Sequence, residues 1–259
     1  LSNFEATSNY KDVDDPSLTI SLEVQGLPNT SILAWTTTPW TLPSNLALCV
    51  GPTIDYVTIQ DHNNGKNYIL AKDRLASYFK NEEEYSIIKT QKGAELAGLR
   101  YEPLLPYFAH FAENGAFTIL AEEHVTTEDG TGVVHTAPAF GEDDFYACQK
   151  AGIPLACPVD DNGLFTEEVS DFKGIHVKEA DKGIIKKLKA EGKVLHHGTI
   201  RHRYPFCWRS DTPLIYKAVA SWFIAVEKIK PELLASNEKV HWTPAHIKKG
   251  RFGKWLEGA

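Results

Sequence analysis

Residues 130–145 read GTGVVHTAPAFGEDDF. Two glycines separated by one residue lead into the β-branched run Val133 to Thr136, which predicts a strand ending near Pro138. A helix is predicted over 141–151, with Phe145 and Cys148 or Gln149 at helical spacing. The pattern lacks the third glycine of a dinucleotide fingerprint and enters a strand rather than a helix, so a Rossmann sheet is not expected. Glycines at the mouth of a strand instead let a backbone approach something closely. The stretch also supplies an imidazole, His135, and nine residues later a carboxylate, Asp144, in the first turn of the helix. The positive helix end favours the ionised carboxylate. An ionised carboxylate in a pocket is a receptor for a primary ammonium group. The plainer reading makes the acids helix caps and His135 a satisfied core histidine.

Upstream, residues 35–45 read WTTTPWTLPSN. Two prolines four residues apart remove two donors and push the preceding residues extended, so this segment is not expected to be regular. Three consecutive threonines on a rigid turn offer hydroxyls that order a water or hold an ester. The alternative is a threonine-rich turn that satisfies only its own backbone. Around these segments lie short predicted strands at 18–24, 31–35, 46–50, 55–60, 68–71, 85–89 and 117–121, with extended segments at 194–200 and 214–226. A hairpin turn is expected at His62-Asn63-Asn64-Gly65-Lys66 and a short helix at 75–80. The clearest helix is 179–191, with Ile184, Ile185 and Leu188 on one face and Gly192 following as a stop signal. Many short strands with few helices and no βαβ alternation predict an α+β, barrel-like domain.

The chain has 259 residues, enough to bury a core without disulfide or metal support. No run approaches the ~18 apolar residues of a membrane span, and the first residues have no signal-peptide pattern. There is no methionine, so the chain reads as a fragment, a processed piece or a sequence with residues missing. The four cysteines, Cys49, Cys148, Cys157 and Cys207, form no C-x-x-C pair. They read as reduced core thiols of an intracellular protein, with no metal site expected. Net charge is −7, but residues 1–171 carry 9 Lys+Arg against 26 Asp+Glu, and residues 172–259 carry 18 against 8. Such asymmetry marks either a polyanion-facing part or a solvated basic helix. No nucleophile elbow, HExxH or P-loop is present.

WTTTPWTLPSN followed about ninety residues later by GTGVVHTAPAFGEDD closely resembles the editing domain of the isoleucyl-tRNA synthetases, the insertion called connective peptide 1. The resemblance continues through 203–216 (RYPFCWRSDTPLIY) and 251–256 (RFGKWL), and covers nearly the whole chain. The style looks eukaryotic and cytosolic. Sister valyl and leucyl domains carry an arginine in the threonine motif, where this chain has Thr36-Thr37-Thr38-Pro39, and lysine or methionine where His135 stands. The synthetic signatures H-I-G-H and K-M-S-K-S are absent, so amino-acid activation is not expected.

The resemblance implies the β-barrel-like fold of class I synthetase editing domains, with peripheral helices. It implies one domain over 1–259, in which 31–199 form the hydrolytic core and 1–30 and 200–259 are connecting ribbons. The implied reaction is hydrolysis of valine esterified to isoleucine tRNA, with valyl-adenylate as a second candidate substrate. Such a step is needed because one methylene is worth only ~1–3 kcal/mol in a pocket, a limit for which isoleucine against valine is the familiar illustration. By resemblance, Asp144 holds the α-ammonium and His135 crowds out isoleucine. Thr36, Thr37, Thr38 and Asn45 hold the ester, the terminal adenosine and the attacking water. Trp35 and Val134 wall the site, and Gly130, Thr131 and Gly132 admit the adenosine. Implied partners are the tRNA(Ile) acceptor end and the remainder of the synthetase, in the cytoplasm. No cofactor, metal or membrane is implied, and ATP enters only through the catalytic domain. Lys182, Lys186, Lys187, Lys189, Arg201, Arg203, Lys248, Lys249 and Arg251 are candidates for phosphate contact. The competing reading is an inactive module that binds the tRNA acceptor end.

Overall fold

A computed structural model describes residues 3–258; Leu1, Ser2 and Ala259, the tips of the expected ribbons, lie outside the described residues. Two compact units divide between Ala218 and Val219. The first holds a nine-stranded mixed sheet. Its strands are β1 (Tyr10–Glu23), β2 (Thr30–Thr36), β3 (Ala47–Val50), β4 (Asp55–Asp61), β5 (Asn67–Ala71), β6 (Tyr85–Lys92), β7 (Thr118–Ala121), β8 (Val133–Thr136) and β9 (Val194–Pro205). The order is β6-β4-β5-β2-β8-β3-β7, with β1 on β2 and β9 on β1. The α+β barrel-like expectation holds, and the mixed sheet rules out a doubly wound one.

The predicted strands lie where apolar runs are bounded by turns. The hairpin between β4 and β5 is the expected one: the Asp61 carboxylate accepts from the Asn63 amide at 2.9 Å and closes the turn. β1 is longer than its alternating part. Its polar half, Tyr10 to Ser17, pairs antiparallel with β9 alone as a two-stranded ribbon; the β9 pairing continues to Ile20, and Leu18 to Glu23 pair with β2 inside the sheet. Residues 214–225 form no strand, contrary to the extended reading of 214–226. Leu214 and Ala218 each donate one backbone bond, to Pro205 and Ala139, and no continuous ladder partner is present among the described residues.

The core lies between the sheet and the helix Val177–Ala190, which buries Ile184, Ile185 and Leu188 as its periodicity predicts. That helix packs over a short 3-10 segment, Pro39–Ser44, which is fully buried. A nine-residue helix of the same unit, Glu142–Lys150, follows β8. The second unit contains the helix Val226–Lys239, which accommodates Pro231, and the shorter helix Arg251–Glu257.

The sheet feature that shapes the site is a split at β2. Its first residues pair parallel with β5 (Thr30 to Ile32 with Asn67 to Ile69), while Trp35 pairs with Val134 of β8. Gly130-Thr131-Gly132 crosses this split, and the Thr131 carbonyl accepts from the Ala71 amide at 2.9 Å. Gly130 and Gly132 have φ of +63° and +75°. A Cβ at Gly130 would stand 3.0 Å from the Trp35 ring, and one at Gly132 would stand 2.4 Å from the Ala71 Cβ. The close approach read from these glycines is to the chain's own sheet.

Candidate functional site

The split opens a cleft of about 360 Å³ lined by Trp35, Thr36 and Thr37 from β2 and its extension and by Gly130 to Val134. His124, Thr126, Glu128 and Asp129 complete it. Two segments about ninety residues apart thus share one concavity. Within it Thr131 is not a hydroxyl donor to a ligand. Its side chain is fully buried and donates to the Leu33 carbonyl at 2.7 Å. Arg74 ties the loop down through the Gly130 and Glu128 carbonyls, at 2.9 and 3.0 Å.

Thr38 faces a second cleft, of about 500 Å³, with Trp40, Thr41, Phe140, Tyr204 and Ile215 among its walls. The two clefts are connected by hydroxyls. Thr36 Oγ1 lies 3.3 Å from Thr38 Oγ1, which lies 3.3 Å from Thr41 Oγ1. Thr36 Oγ1 accepts from the Thr38 amide at 3.1 Å. The threonine turn therefore satisfies part of its own backbone, as the plainer reading requires, and still presents hydroxyls to both clefts.

His135 and Asn45 sit behind this turn. They are 9 % and 3 % exposed, and neither lines the clefts described above. His135 Nε2 lies 3.0 Å from Thr41 Oγ1, and Nδ1 lies 2.8 Å from the Asn45 amide nitrogen. Burial pushes the imidazole pKa down to about 4, so the ring is neutral near pH 7. Asn45 also donates to the Ala47 carbonyl at 2.9 Å and accepts from the fully buried Tyr101 hydroxyl at 2.8 Å. The polar atoms of Asn45 are turned into the protein, where the sequence reading had placed them on the ester or the water.

Asp144 lies in the first turn of Glu142–Lys150, where its carboxylate accepts from the Ala137 amide at 2.8 Å. The sequence reading expected the helix end to favour the charged form. Burial outweighs it: the carboxyl is pushed up to about 6, against the lowering by the Ala137 bond and nearby His124. Asp144 makes no ion pair among the described residues and lines neither of the two clefts.

Tyr101, Thr41 and His124 were missed from sequence. Thr41 lies inside the quoted threonine motif and was legible in principle. Tyr101 carries no local signal. Of the basic candidates, Lys187 is engaged by Asp171 and Glu191 at 3.1 and 3.4 Å, and Lys248 donates to the Glu238 carbonyl at 2.6 Å. Cys49 and Cys148 are buried thiols, both pushed up to about 12, whereas Cys157 and Cys207 are part-exposed rather than core residues. No group of three or more metal-ligating side chains occurs among the described residues. No helix there is long and apolar enough to cross a membrane.

Comparisons with known proteins agree with the fold. The chain is 62 % identical over 259 residues to an isoleucine–tRNA ligase of Protochlamydia amoebophila, and 59 % identical over 260 residues to one of Bdellovibrio bacteriovorus. It spans about a quarter of the length of each. Both organisms are bacteria, so the eukaryotic cytosolic style expected from the motifs is not supported. Among solved structures it is similar to GlLeuRS-CP1, with a TM-score of 0.55 and 16 % identity, covering 70 % of this chain and 99 % of that one. It is also similar to the Plasmodium knowlesi cytosolic leucyl-tRNA synthetase editing domain, with a TM-score of 0.54 and 14 % identity, covering 74 % and 97 %. The fold is that of class I synthetase editing domains. The model of the class I tRNA synthetases (I, L, M and V) matches residues 1–259, and the chain belongs to that family.

Proposed function

We propose that this chain is the editing module of an isoleucyl-type synthetase, which hydrolyses valine esterified to isoleucine tRNA in the cytoplasm. The observation that carries the reading is the cleft in which Trp35, Thr36 and Thr37 meet Gly130 to Val134. In this reading the terminal adenosine lies against the Gly130–Val134 strand entry. The ester lies over the Thr36–Thr38 hydroxyls. Asp144, charged and without an ion-pair partner, receives the α-ammonium. His135 limits the acyl group from behind the threonine turn.

The reaction is attack of a water on the ester carbonyl, which releases valine and the free ribose hydroxyl. Neutral His135 is not a base of useful strength, because its pKa lies near 4. Positioning of the water by threonine hydroxyls, with proton relay through the neighbouring free ribose hydroxyl, is sufficient for an activated ester. The proposed partners are the tRNA(Ile) acceptor end and the remainder of the parent synthetase. Valyl-adenylate is a second substrate of the same pocket.

The test is deacylation of valyl- and isoleucyl-tRNA(Ile) by this chain at low salt, repeated with a valyl-adenosine ester that bypasses weak tRNA binding. Loss of the valyl ester alone supports the reading. Binding of the analogue without hydrolysis would support an inactive acceptor-end module instead.

A further inference from the structure

The hydrogen bonds behind the threonine turn have a direction that can be derived atom by atom. The Ala47 carbonyl only accepts, so the Asn45 atom 2.9 Å from it is the amide nitrogen. The Asn45 Oδ1 then accepts from the Tyr101 hydroxyl at 2.8 Å. The second amide hydrogen points at His135 Nδ1, 2.8 Å away, so Nδ1 carries no proton. A neutral ring then carries its proton on Nε2 and donates it to Thr41 Oγ1 at 3.0 Å. Thr41 in turn donates to the Thr38 carbonyl at 2.8 Å. Its single proton is committed there and is not offered to the Thr38 hydroxyl, 3.3 Å away. The Thr38 hydroxyl therefore accepts nothing from Thr41, and its other hydroxyl neighbour is Thr36 Oγ1 at 3.3 Å.

We infer that Asn45 is a positioning residue that acts through His135. Held by Tyr101 and Ala47, it sets the ring as the Nε2–H tautomer and thereby sets the direction in which Thr41 and Thr38 present their hydroxyls. This differs from a direct contact of Asn45 with the ester, and it gives Tyr101 and Thr41 roles that neither sequence motif assigns. Tyr101 and Asn45 are 0 % and 3 % exposed, and the polar atoms of the amide are spent on protein partners. A buried network with every member paired rigidifies its site, whereas one reversed member reverses the donors after it. The role in ester hydrolysis rests on the function proposed above; the tautomer does not.

The experiment reads both. In the full chain labelled with ¹⁵N-histidine, His135 shows a bare Nδ1 and a protonated Nε2. Asn45→Asp replaces the donor by a carboxylate that only accepts, and the ring switches to Nδ1–H. Its kcat for valyl ester falls on the order of a hundredfold while KM stays within about twofold. Thr41→Val, which keeps the shape, lowers kcat similarly and leaves the tautomer unchanged; it serves if Asn45→Asp does not fold. A protonated Nδ1 in the unmodified chain overturns the inference, and so does a Thr41→Val chain with unchanged kcat. An Nε2–H ring in a chain that hydrolyses no ester supports the tautomer assignment and overturns the proposed function.

Discussion

Trp35 of β2 lies in register with Val134 of β8, and this pairing is where β2 leaves β5 for its second parallel neighbour. The site is a consequence of that exchange. A strand that changes partners leaves a gap in the sheet, and the gap is crossed by a backbone with left-handed glycines at 130 and 132.

The crossing predicts the effect of added side chains. Gly132→Ala places a Cβ 2.4 Å from the Ala71 Cβ at φ +75°, and both strain and collision act against folding. The expected loss is about 2–3 kcal/mol in urea unfolding. Gly130→Ala meets the Trp35 ring at 3.0 Å, and Arg74 still binds its carbonyl; its loss is expected to be smaller. Equal losses at the two positions would contradict this account of the split.

Asp144 predicts a pH profile. Its carboxyl titrates at about 6 rather than near 3.8 because burial disfavours the charge. If the charged form receives the ammonium, valyl-ester hydrolysis rises with pH through about 6 and is about tenfold lower at pH 5 than at pH 7. Asp144→Asn removes that titration along with most of the activity. A profile flat between pH 5 and 7 would exclude Asp144 as the ammonium receptor.

His135 predicts a pH dependence of stability. Its pKa is lowered on folding, so the unfolded chain binds the extra proton first. The contribution of this residue is fully present above about 6.5 and is lost as pH falls toward 4. Substituting His135→Ala flattens that part of the pH dependence. The same variant admits the isoleucyl ester if the ring limits the acyl pocket. Retained discrimination between valyl and isoleucyl esters would remove it from the sieve.

Tyr101→Phe tests the support behind His135. The change keeps the ring that packs edge-on against Phe117 and removes only the donor to Asn45. A buried acceptor left without its partner costs about 1–3 kcal/mol. Thermal unfolding of the variant measures it, and a loss below about 0.5 kcal/mol would show that the Asn45 oxygen does not depend on Tyr101.

Much of this protein was legible in the sequence because the relevant signals are local. Strands Thr30–Thr36, Ala47–Val50 and Val133–Thr136, the helix Val177–Ala190 and the irregular proline turn follow from periodicity, chain breakers and β-branched runs. The glycines at 130 and 132 announced a close approach. Only the tertiary structure showed that the surface approached belongs to Trp35 and Ala71, because a missing side chain does not name the group that fills its place. The sequence also listed Asn45 and His135 as chemistry-bearing residues. Whether their polar atoms face a ligand or each other depends on strand pairing, since β3 and β8 run antiparallel with Leu48 opposite His135 and bring Asn45 behind the ring. The ionisation of Asp144 was likewise settled by packing. A helix end contributes a modest local field, and the burial that outweighs it arises only once the sheet and the helix have closed over the carboxyl.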